Sequence, residues 1–244
     1  MKRKKIVLRV LLLAWTVAGL GFLLWLAYGY QARSVAPSVY SSDARVTVTG
    51  NRDYDAFTPA GPYRQVVLFY PGALVDPKAY APLCRRLANS GCRAVLVKMP
   101  WRLASRGYQR PITLGLFADS TKEYILAGHS QGGKMAARFV QQHPGLIDKL
   151  ILIGTTHPRD FDLSGSKIPT LKIYGSNDGV ADTTGVNRNK AKLPPATKYV
   201  CLNGANHAQF GYYGFQLGDG KAAISRAVQQ QLVLDHILSF LRQP

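Results

Sequence analysis

Three side chains in separate loops of this 244-residue chain could together make a serine reactive: Ser130, Asp178 and His207. A free serine hydroxyl is a weak nucleophile, so a neutral imidazole must take its proton as it attacks an acyl carbon. The imidazole needs a carboxylate on its other nitrogen, which fixes the tautomer and stabilises the imidazolium. We predict Ser130 as the nucleophile, His207 as the general base and Asp178 as the carboxylate that orients the base.

The serine lies in the pentapeptide Gly128-His129-Ser130-Gln131-Gly132, between an apolar run and a helical pattern of small residues at 133–140. A Gly-x-Ser-x-Gly segment in this context is typical of a nucleophile elbow, a turn sharp enough to push the serine out above a sheet. A Cβ at Gly128 or Gly132 would collide with the neighbouring strand or helix. We expect His129 to be structural and to support the turn.

Two backbone N–H groups must stabilise the charge that develops on the substrate carbonyl oxygen. The predicted donors are the N–H of Gln131, directly after the serine, and that of Ala73, in a loop that follows a strand pattern at 65–70. A substrate pocket is predicted from aromatic residues at Tyr70, Tyr212, Tyr213 and Phe215. For the three aromatic residues after His207, a packed surface loop is the alternative.

Other residues compete for these roles. Asp182 is the alternative to Asp178, followed by Asp162, but neither directly follows a strand at a glycine turn. His157 lies in a loop after a predicted strand, where it could approach the site. The serine chemistry needs no cofactor, and the cysteines have no metal-ligand spacing, so the sequence predicts neither a metal nor an organic cofactor.

The elements that must position these loops alternate between strands and helices. Continuous apolar runs are typical of buried parallel strands, and the site of a parallel sheet lies beyond the carboxyl ends of its strands. The predicted parallel strands are 65–70, 94–98, 124–127, 147–154, 171–174 and 198–202, preceded by a hairpin of 44–49 with 54–58. Helices are predicted at 77–89, capped by Asp76, and at 224–241.

The chain resembles the α/β-hydrolase superfamily, and within it the small serine hydrolases related to dienelactone hydrolases (α/β-hydrolase family 5-like). The resemblance extends from about residue 44 to residue 241. It rests on Tyr70-Pro71-Gly72-Ala73, Asp76-Pro77-Lys78-Ala79-Tyr80, Lys98-Met99-Pro100, Gly128-His129-Ser130-Gln131-Gly132, Gly175-Ser176-Asn177-Asp178 and Gly204-Ala205-Asn206-His207.

The resemblance implies an α/β-hydrolase fold, in agreement with the mostly parallel, doubly wound sheet with helices on both faces that the pattern predicts; the short segment 155–167 predicts no cap domain. It also implies a triad of Ser130, Asp178 and His207, with the amides of Ala73 and Gln131 as the oxyanion hole. The nucleophile is serine, whereas dienelactone hydrolases proper use cysteine, so their substrate does not transfer to this chain.

The N-terminus predicts a membrane segment. A cationic cap at residues 1–5 precedes an uncharged, mostly apolar stretch at 10–28, which as a helix spans about 28 Å, close to the bilayer hydrocarbon thickness. A cleavable signal peptide is the alternative, but its apolar core is normally shorter and a small-residue cleavage site should follow. In both cases the basic cap stays cytoplasmic and the rest of the chain is exported.

The predicted organisation is therefore a basic cap and signal anchor (1–30), a linker that lifts the domain off the membrane (31–43) and a catalytic domain (44–244). The net charge of +18 favours an anionic neighbour such as lipid headgroups or a cell-wall polymer, or simply a soluble basic surface. No motif of a nucleic-acid reader is present. Of the cysteines Cys84, Cys92 and Cys201, the first two could pair, which the sequence leaves open.

The sequence thus predicts a membrane-tethered, extracytoplasmic serine hydrolase that cleaves a carboxylic ester through an acyl-serine intermediate. Acyl transfer to an acceptor other than water would use the same residues. A non-catalytic wall- or membrane-binding module is the alternative from another class, although it has no use for a complete triad. Residues 155–167 are too few to form a helical lid, which favours a small or exposed ester.

Overall fold

Eight strands form a single sheet in the computed structural model, which describes residues 2–243. In chain order they are β1 (Val46–Gly50), β2 (Tyr54–Pro59), β3 (Gln65–Tyr70), β4 (Arg93–Val97), β5 (Glu123–His129), β6 (Lys149–Ile153), β7 (Thr170–Gly175) and β8 (Lys198–Leu202). Their order across the sheet is β1-β2-β4-β3-β5-β6-β7-β8. β1 and β2 form an antiparallel hairpin at one edge, and β3 to β8 are parallel.

The predicted doubly wound sheet is confirmed, with strand bounds displaced by at most two residues. The largest extension is at β5, which continues through the first two residues of the elbow. His129 is still in register with Ile153 of β6, so strand pairing holds the backbone up to the residue before the serine.

Six helices accompany the sheet in the described residues: α1 (Lys2–Gly29), α2 (Ala81–Asn89), α3 (Arg110–Thr113), α4 (Gln131–Gln142), α5 (Thr183–Arg188) and α6 (Arg226–Leu241). The single helix predicted over 77–89 is instead a 3₁₀ turn, Pro77–Tyr80, followed by α2. Pro82 explains the break, since it has no N–H to donate back to Lys78. The predicted Asp76 cap is present, and its carboxylate accepts from the Lys78 N–H at 3.0 Å.

The core has two halves, one on each face of the sheet. Side chains alternate along β3: Val67 and Phe69 join the cluster under α2 and α6, whereas Val66, Leu68 and Tyr70 join the cluster under α4. Because both faces are covered, β3 is apolar at nearly every position, as expected of a central parallel strand. The two cores fix the carboxyl ends of the central strands, where the candidate site lies.

The long N-terminal helix α1 packs little of its surface. Its apolar window from Arg3 to Gly29 is not buried in the rest of the chain, and its length and composition suit either a membrane span or a signal sequence. Residues 31–43, expected as a linker away from the domain, lie against the domain instead. The nearly buried Arg85 explains part of this docking, because it donates to the carbonyl oxygens of Val39 and Ser41 and pairs with Asp43.

Two further expectations concern the loops and the thiols. Residues 155–169, between β6 and β7, form an irregular segment without a helix, consistent with the absence of a lid at this position. Cys84, Cys92 and Cys201 are all free thiols, so the structure does not pair Cys84 with Cys92.

Candidate active site

Ser130 lies at the sharp turn between β5 and α4. Its backbone has φ 53° and ψ −119°, a conformation that costs a non-glycine residue about 1–3 kcal/mol and is held only by its surroundings. Those surroundings are hydrogen bonds on both sides: the Ser130 N–H donates to the Ile153 carbonyl at 2.9 Å, and its carbonyl accepts from the Lys134 N–H at 3.1 Å. The turn has the geometry expected of a nucleophile elbow.

The elbow glycines are required by close backbone approach. A Cβ on Gly128 would lie 2.4 Å from the carbonyl carbon of Gly132. One on Gly132 would lie 2.0 Å from the carbonyl oxygen of Tyr70, in the neighbouring strand β3. The contacted atoms are backbone, which cannot move without displacing the sheet. Glycine at both positions is therefore what allows α4 to begin so close to the strands.

His207 and Asp178 form a buried pair. The His207 Nδ1 lies 2.9 Å from Oδ2 of Asp178, and both side chains are almost fully excluded from solvent. The other carboxylate oxygen of Asp178 accepts from the N–H groups of Val180 at 2.9 Å and Ala181 at 2.6 Å. With one oxygen held by backbone donors and the other on the ring, Asp178 fixes both its own orientation and that of the imidazole.

The other ring nitrogen of His207, Nε2, is buried and has no hydrogen-bond partner among the described residues. The structure therefore shows no hydrogen bond between the Ser130 hydroxyl and this nitrogen. Catalytic hydrogen bonds are often long in free enzymes and tighten when substrate binds. The ring of His207 nonetheless lies close to the elbow, since its centroid is 4.5 Å from that of His129, the residue next to Ser130.

A second carboxylate, which sequence reasoning missed, connects the loops that carry Asp178 and His207. Asp219 Oδ1 accepts from the His207 N–H at 3.0 Å and the Gly179 N–H at 3.3 Å, and Oδ2 accepts from the Ala208 N–H at 2.8 Å. One side chain thus holds the backbone beside both members of the pair. No motif surrounds Asp219 in the sequence, because its partners are three N–H groups that only the folded loops bring together.

Helix α6 supports the His207 loop from the other side. The amide of Gln229, which is fully buried, donates to the carbonyl oxygen of Asn206 at 2.8 Å and accepts from the Asn206 N–H at 3.1 Å. Buried amides of this kind need both partners, so they specify one loop conformation. Together with Asp219, this contact holds the histidine loop from both flanks.

If His207 is the general base, as predicted, replacing Asp219 by alanine is expected to lower kcat by about tenfold to 100-fold, because small displacements of a catalytic group are costly. Three N–H groups would also lose their acceptor, which lowers the melting temperature. Asp219→Asn keeps one carbonyl oxygen, so its kcat and melting temperature should lie between those of the wild type and of Asp219→Ala. Steady-state kinetics at a temperature where all variants remain folded separates positioning from stability. A fall in melting temperature with kcat unchanged would contradict the positioning role.

The predicted oxyanion donors lie on two sides of the serine. The N–H of Gln131 opens α4, and that of Ala73 belongs to the loop after β3; neither donates to another group of the described residues. That loop is adjacent to Ser130, since a Cβ built on Gly72 would lie 3.6 Å from the Ser130 Cβ. Both N–H groups thus lack a protein acceptor among the described residues.

His129 has the structural role that the sequence suggested. The Tyr80 hydroxyl accepts from the Gly72 N–H at 3.2 Å and is hydrogen-bonded to His129 Nδ1 at 2.8 Å. Burial and the nearby ring of His207 hold the pKa of His129 well below its usual value, so the ring is neutral. Tyr80 and His129 thereby join the elbow to the loop after β3.

A cleft of about 300 Å³ opens beside Ser130. Its lining comes from the start of α4 and the loops after β6 and β7: Ser130, Gln131, Lys134, Gly154, Thr155, Thr156, His157, Arg159, Val180 and Ala181. A second cleft of about 410 Å³ shares Thr156, Arg159 and Val180 with it. The space available to a substrate at Ser130 is therefore open and lined largely by polar and cationic groups.

His157 does line this cleft, as the sequence allowed. Burial, together with the cations of Lys134 and Arg159, lowers the pKa of His157 to about 4, so its ring is neutral near pH 7. The carbonyl oxygen of His157 accepts at 2.6 Å from Nζ of Lys172, on strand β7. Burial lowers the pKa of Lys172 to about 7. Through this hydrogen bond the buried Lys172 side chain holds the backbone of His157 at the wall of the cleft.

The four aromatic residues predicted to form the pocket do not line this cleft. Tyr70 and Tyr213 are fully buried, and their hydroxyls donate to the Tyr108 carbonyl and the Gln216 amide. Tyr212 is half-buried beside Arg226, and Phe215 is exposed next to α1. The loop after His207 thus packs one aromatic ring, Tyr213, in the core and leaves another, Phe215, exposed away from the cleft.

The chain belongs to the alpha/beta hydrolase family, whose model matches residues 66–231. The match supports the resemblance to α/β hydrolases and does not distinguish the dienelactone-hydrolase group within them. No curated protein sequence matches the chain.

Solved structures share the fold at low sequence identity. TT1662 from Thermus thermophilus has a TM-score of 0.61 at 14% identity, covering 82% of this chain and 100% of that one. A ferulic acid esterase from Streptomyces cinnamoneus has a TM-score of 0.60 at 16% identity, with 75% and 67% covered. The carboxylesterase CesB from Bacillus subtilis has a TM-score of 0.57 at 14% identity, with 91% and 98% covered. These likenesses concern the fold.

Proposed function

We propose that this protein is a membrane-anchored serine hydrolase that cleaves a carboxylic ester through an acyl-serine intermediate. The observation that carries the proposal is the buried pair of His207 and Asp178, 2.9 Å apart, at the sheet edge where the strained elbow exposes Ser130. A buried imidazole held by a carboxylate is suited to accept a proton from a hydroxyl. Membership of the alpha/beta hydrolase family, and the names of the esterase neighbours, support an ester bond as the target.

The proposed reaction uses each group at a stated atom. Oγ of Ser130 attacks the ester carbonyl carbon while Nε2 of His207 takes the hydroxyl proton. The N–H groups of Gln131 and Ala73 stabilise the oxyanion, and His207 then returns the proton to the departing alcohol oxygen. Water attacks the acyl-serine in the same way, and Asp178 stabilises the imidazolium in both steps.

We also propose that α1 anchors the protein in a membrane and that the catalytic domain is extracytoplasmic. Helix α1 is long enough to cross a bilayer, and its apolar side chains are exposed in the described structure. Four of the first five residues are Lys or Arg, which favours a cytoplasmic N-terminus. The positive net charge suits a surface of anionic lipid or wall polymer.

An active-site-directed probe tests the catalytic proposal. The full-length protein in membranes or detergent is incubated with a fluorophosphonate, digested, and the modified peptide is identified by mass spectrometry. We expect covalent labelling on Ser130, because the probe reacts with serines whose hydroxyl is activated by a base. Heat-denatured protein is the control and should not be labelled. Folded protein without label at Ser130 would contradict the proposal.

A further inference from the structure

Five large apolar side chains remain exposed in loops at the edge of the sheet formed by the carboxyl ends of the parallel strands: Leu74, Trp101, Val180, Phe215 and Leu217. These loops follow β3, β4, β7 and β8. Because the strands are parallel, the loops share an edge with Ser130, which follows β5. Outside α1, only two other large apolar side chains are exposed among the described residues, Ile112 and Val228. Exposed apolar surface is thus concentrated at the edge of the candidate active site.

Two of these residues are exposed by an unusual backbone. Trp101, which is 85% exposed, has φ 55°, and Leu74 has φ 62°. Bulky residues rarely adopt this left-handed conformation, and such outliers concentrate at functional segments. The two loops are tied together, since the Leu74 N–H donates to the Arg102 carbonyl at 2.7 Å. The fold therefore holds both side chains outward, away from the core.

The chain that follows α1 is docked on the same edge. This segment contacts the loops after β3, β4 and β8. Helix α1 therefore joins the domain at the same end of the sheet as Ser130. The contacts are Asp76 N–H to the Tyr30 carbonyl at 2.9 Å, Arg33 N–H to the Tyr212 carbonyl at 2.7 Å, Gly214 N–H to the Gly29 carbonyl at 2.8 Å, and the Arg102 guanidinium to the Gln31 amide oxygen at 3.2 Å.

Phe215 lies next to the apolar part of α1. Its ring centroid is 6.1 Å from that of Trp25, which lies four residues before the end of the helix, or about 6 Å along its axis. Leu217 is exposed two residues further on. Arg33 lies over the Tyr28 ring at 4.1 Å, so a cation lies at the end of the helix, at the level where lipid phosphates are found.

We propose that the sheet edge carrying Ser130 faces the phospholipid bilayer that holds α1, with Phe215, Leu217 and Trp101 in the bilayer interface. The inference rests on the proposed membrane anchor. It replaces a domain lifted away by a linker with one held against the membrane through residues 29–33. An ester at the bilayer surface would then lie next to the cleft of Ser130, which has no lid over it in the loop after β6.

Depth-dependent fluorescence quenching tests this orientation in the full-length protein. The chain has three tryptophans, Trp15, Trp25 and Trp101, which can be replaced by phenylalanine to leave one at a time. The variants are reconstituted in phosphatidylcholine vesicles, with and without lipids brominated on their acyl chains. Two further probes, Phe215→Trp and Ser120→Trp, are placed in the chain without its native tryptophans. Ser120 is exposed in the turn before β5, at the opposite edge of the sheet.

We expect brominated lipids to remove more than half of the emission from the variant that keeps Trp15, and a clear fraction from both the Phe215→Trp probe and the variant that keeps Trp101. The Ser120→Trp probe should retain its emission. If Trp15 is not quenched, the anchor and this inference both fail. If Trp15 is quenched but either edge probe behaves like Ser120→Trp, the inference fails alone. Neither result changes the labelling of Ser130, which tests catalysis separately.

Discussion

The Ser130→Ala variant is expected to lose hydrolysis of short p-nitrophenyl esters by on the order of 10⁴-fold or more in kcat, the loss typical of removing a catalytic nucleophile. Without Oγ no acyl-enzyme forms, and only binding and the oxyanion N–H groups still favour attack by water. Initial rates under saturating ester measure the loss. The variant should remain folded, because the Ser130 side chain makes no hydrogen bond to other described residues.

Ser120→Ala is the matched control. Ser120 is an exposed serine in the turn before β5, at the opposite end of the strand from Ser130. Its substitution should leave kcat unchanged. Equal melting temperatures for the two variants would show that the difference in rate arises at the site. If Ser130→Ala kept more than a tenth of the wild-type rate, a different residue would have to be the nucleophile.

The strands and the positions of the site loops could be predicted because their signals are local. A buried parallel strand is a continuous apolar run, and the residue after its last apolar position lies at the carboxyl edge. Asp178 follows the buried strand β7, and His207 follows its neighbour β8, an edge strand that is only partly buried. The structure accordingly brings their side chains together at 2.9 Å.

The residues that position the site could not be predicted, because their partners are distant in sequence. Asp219 matters through N–H groups of two other loops, and the sequence contains no sign of that meeting. Tyr80 is similar: its hydroxyl reaches Gly72 and His129, which belong to different strand ends. Such contacts depend on how loops pack, which local pattern does not encode.

Two predictions were wrong because the sequence does not show which way a side chain points or whether a segment lies against the domain: the aromatic pocket and the linker. Tyr70 ends a strand at the site edge, yet the alternation of β3 turns its ring into the core beside Leu68. Residues 31–43 have the composition of a linker, but Arg85 holds them on the domain. Composition indicates where a chain can be flexible; buried partners elsewhere in the fold decide whether it is.

Asp178→Asn is expected to lower kcat by about 10⁴-fold while leaving the fold intact. The asparagine carbonyl would still accept from the N–H groups of Val180 and Ala181, which directs its NH₂ group toward His207. An NH₂ donor requires Nδ1 to be the acceptor, and the ring proton then moves to Nε2. That nitrogen could no longer accept the proton of Ser130. Steady-state kinetics at pH 7 to 8 measures the loss.

Asp182→Asn is the control, since Asp182 was the alternative carboxylate in the sequence. It caps α5 by accepting from the Gly185 N–H at 2.5 Å, a role that asparagine fills equally well. Its rate should therefore stay within about twofold of wild type, since the cap is preserved. If Asp182→Asn reduced kcat as strongly as Asp178→Asn, Asp178 would not be the specific partner of His207. We expect only Asp178→Asn to reduce kcat strongly. Of the two carboxylates, only Asp178 is hydrogen-bonded to the imidazole through one oxygen and to backbone N–H groups through the other.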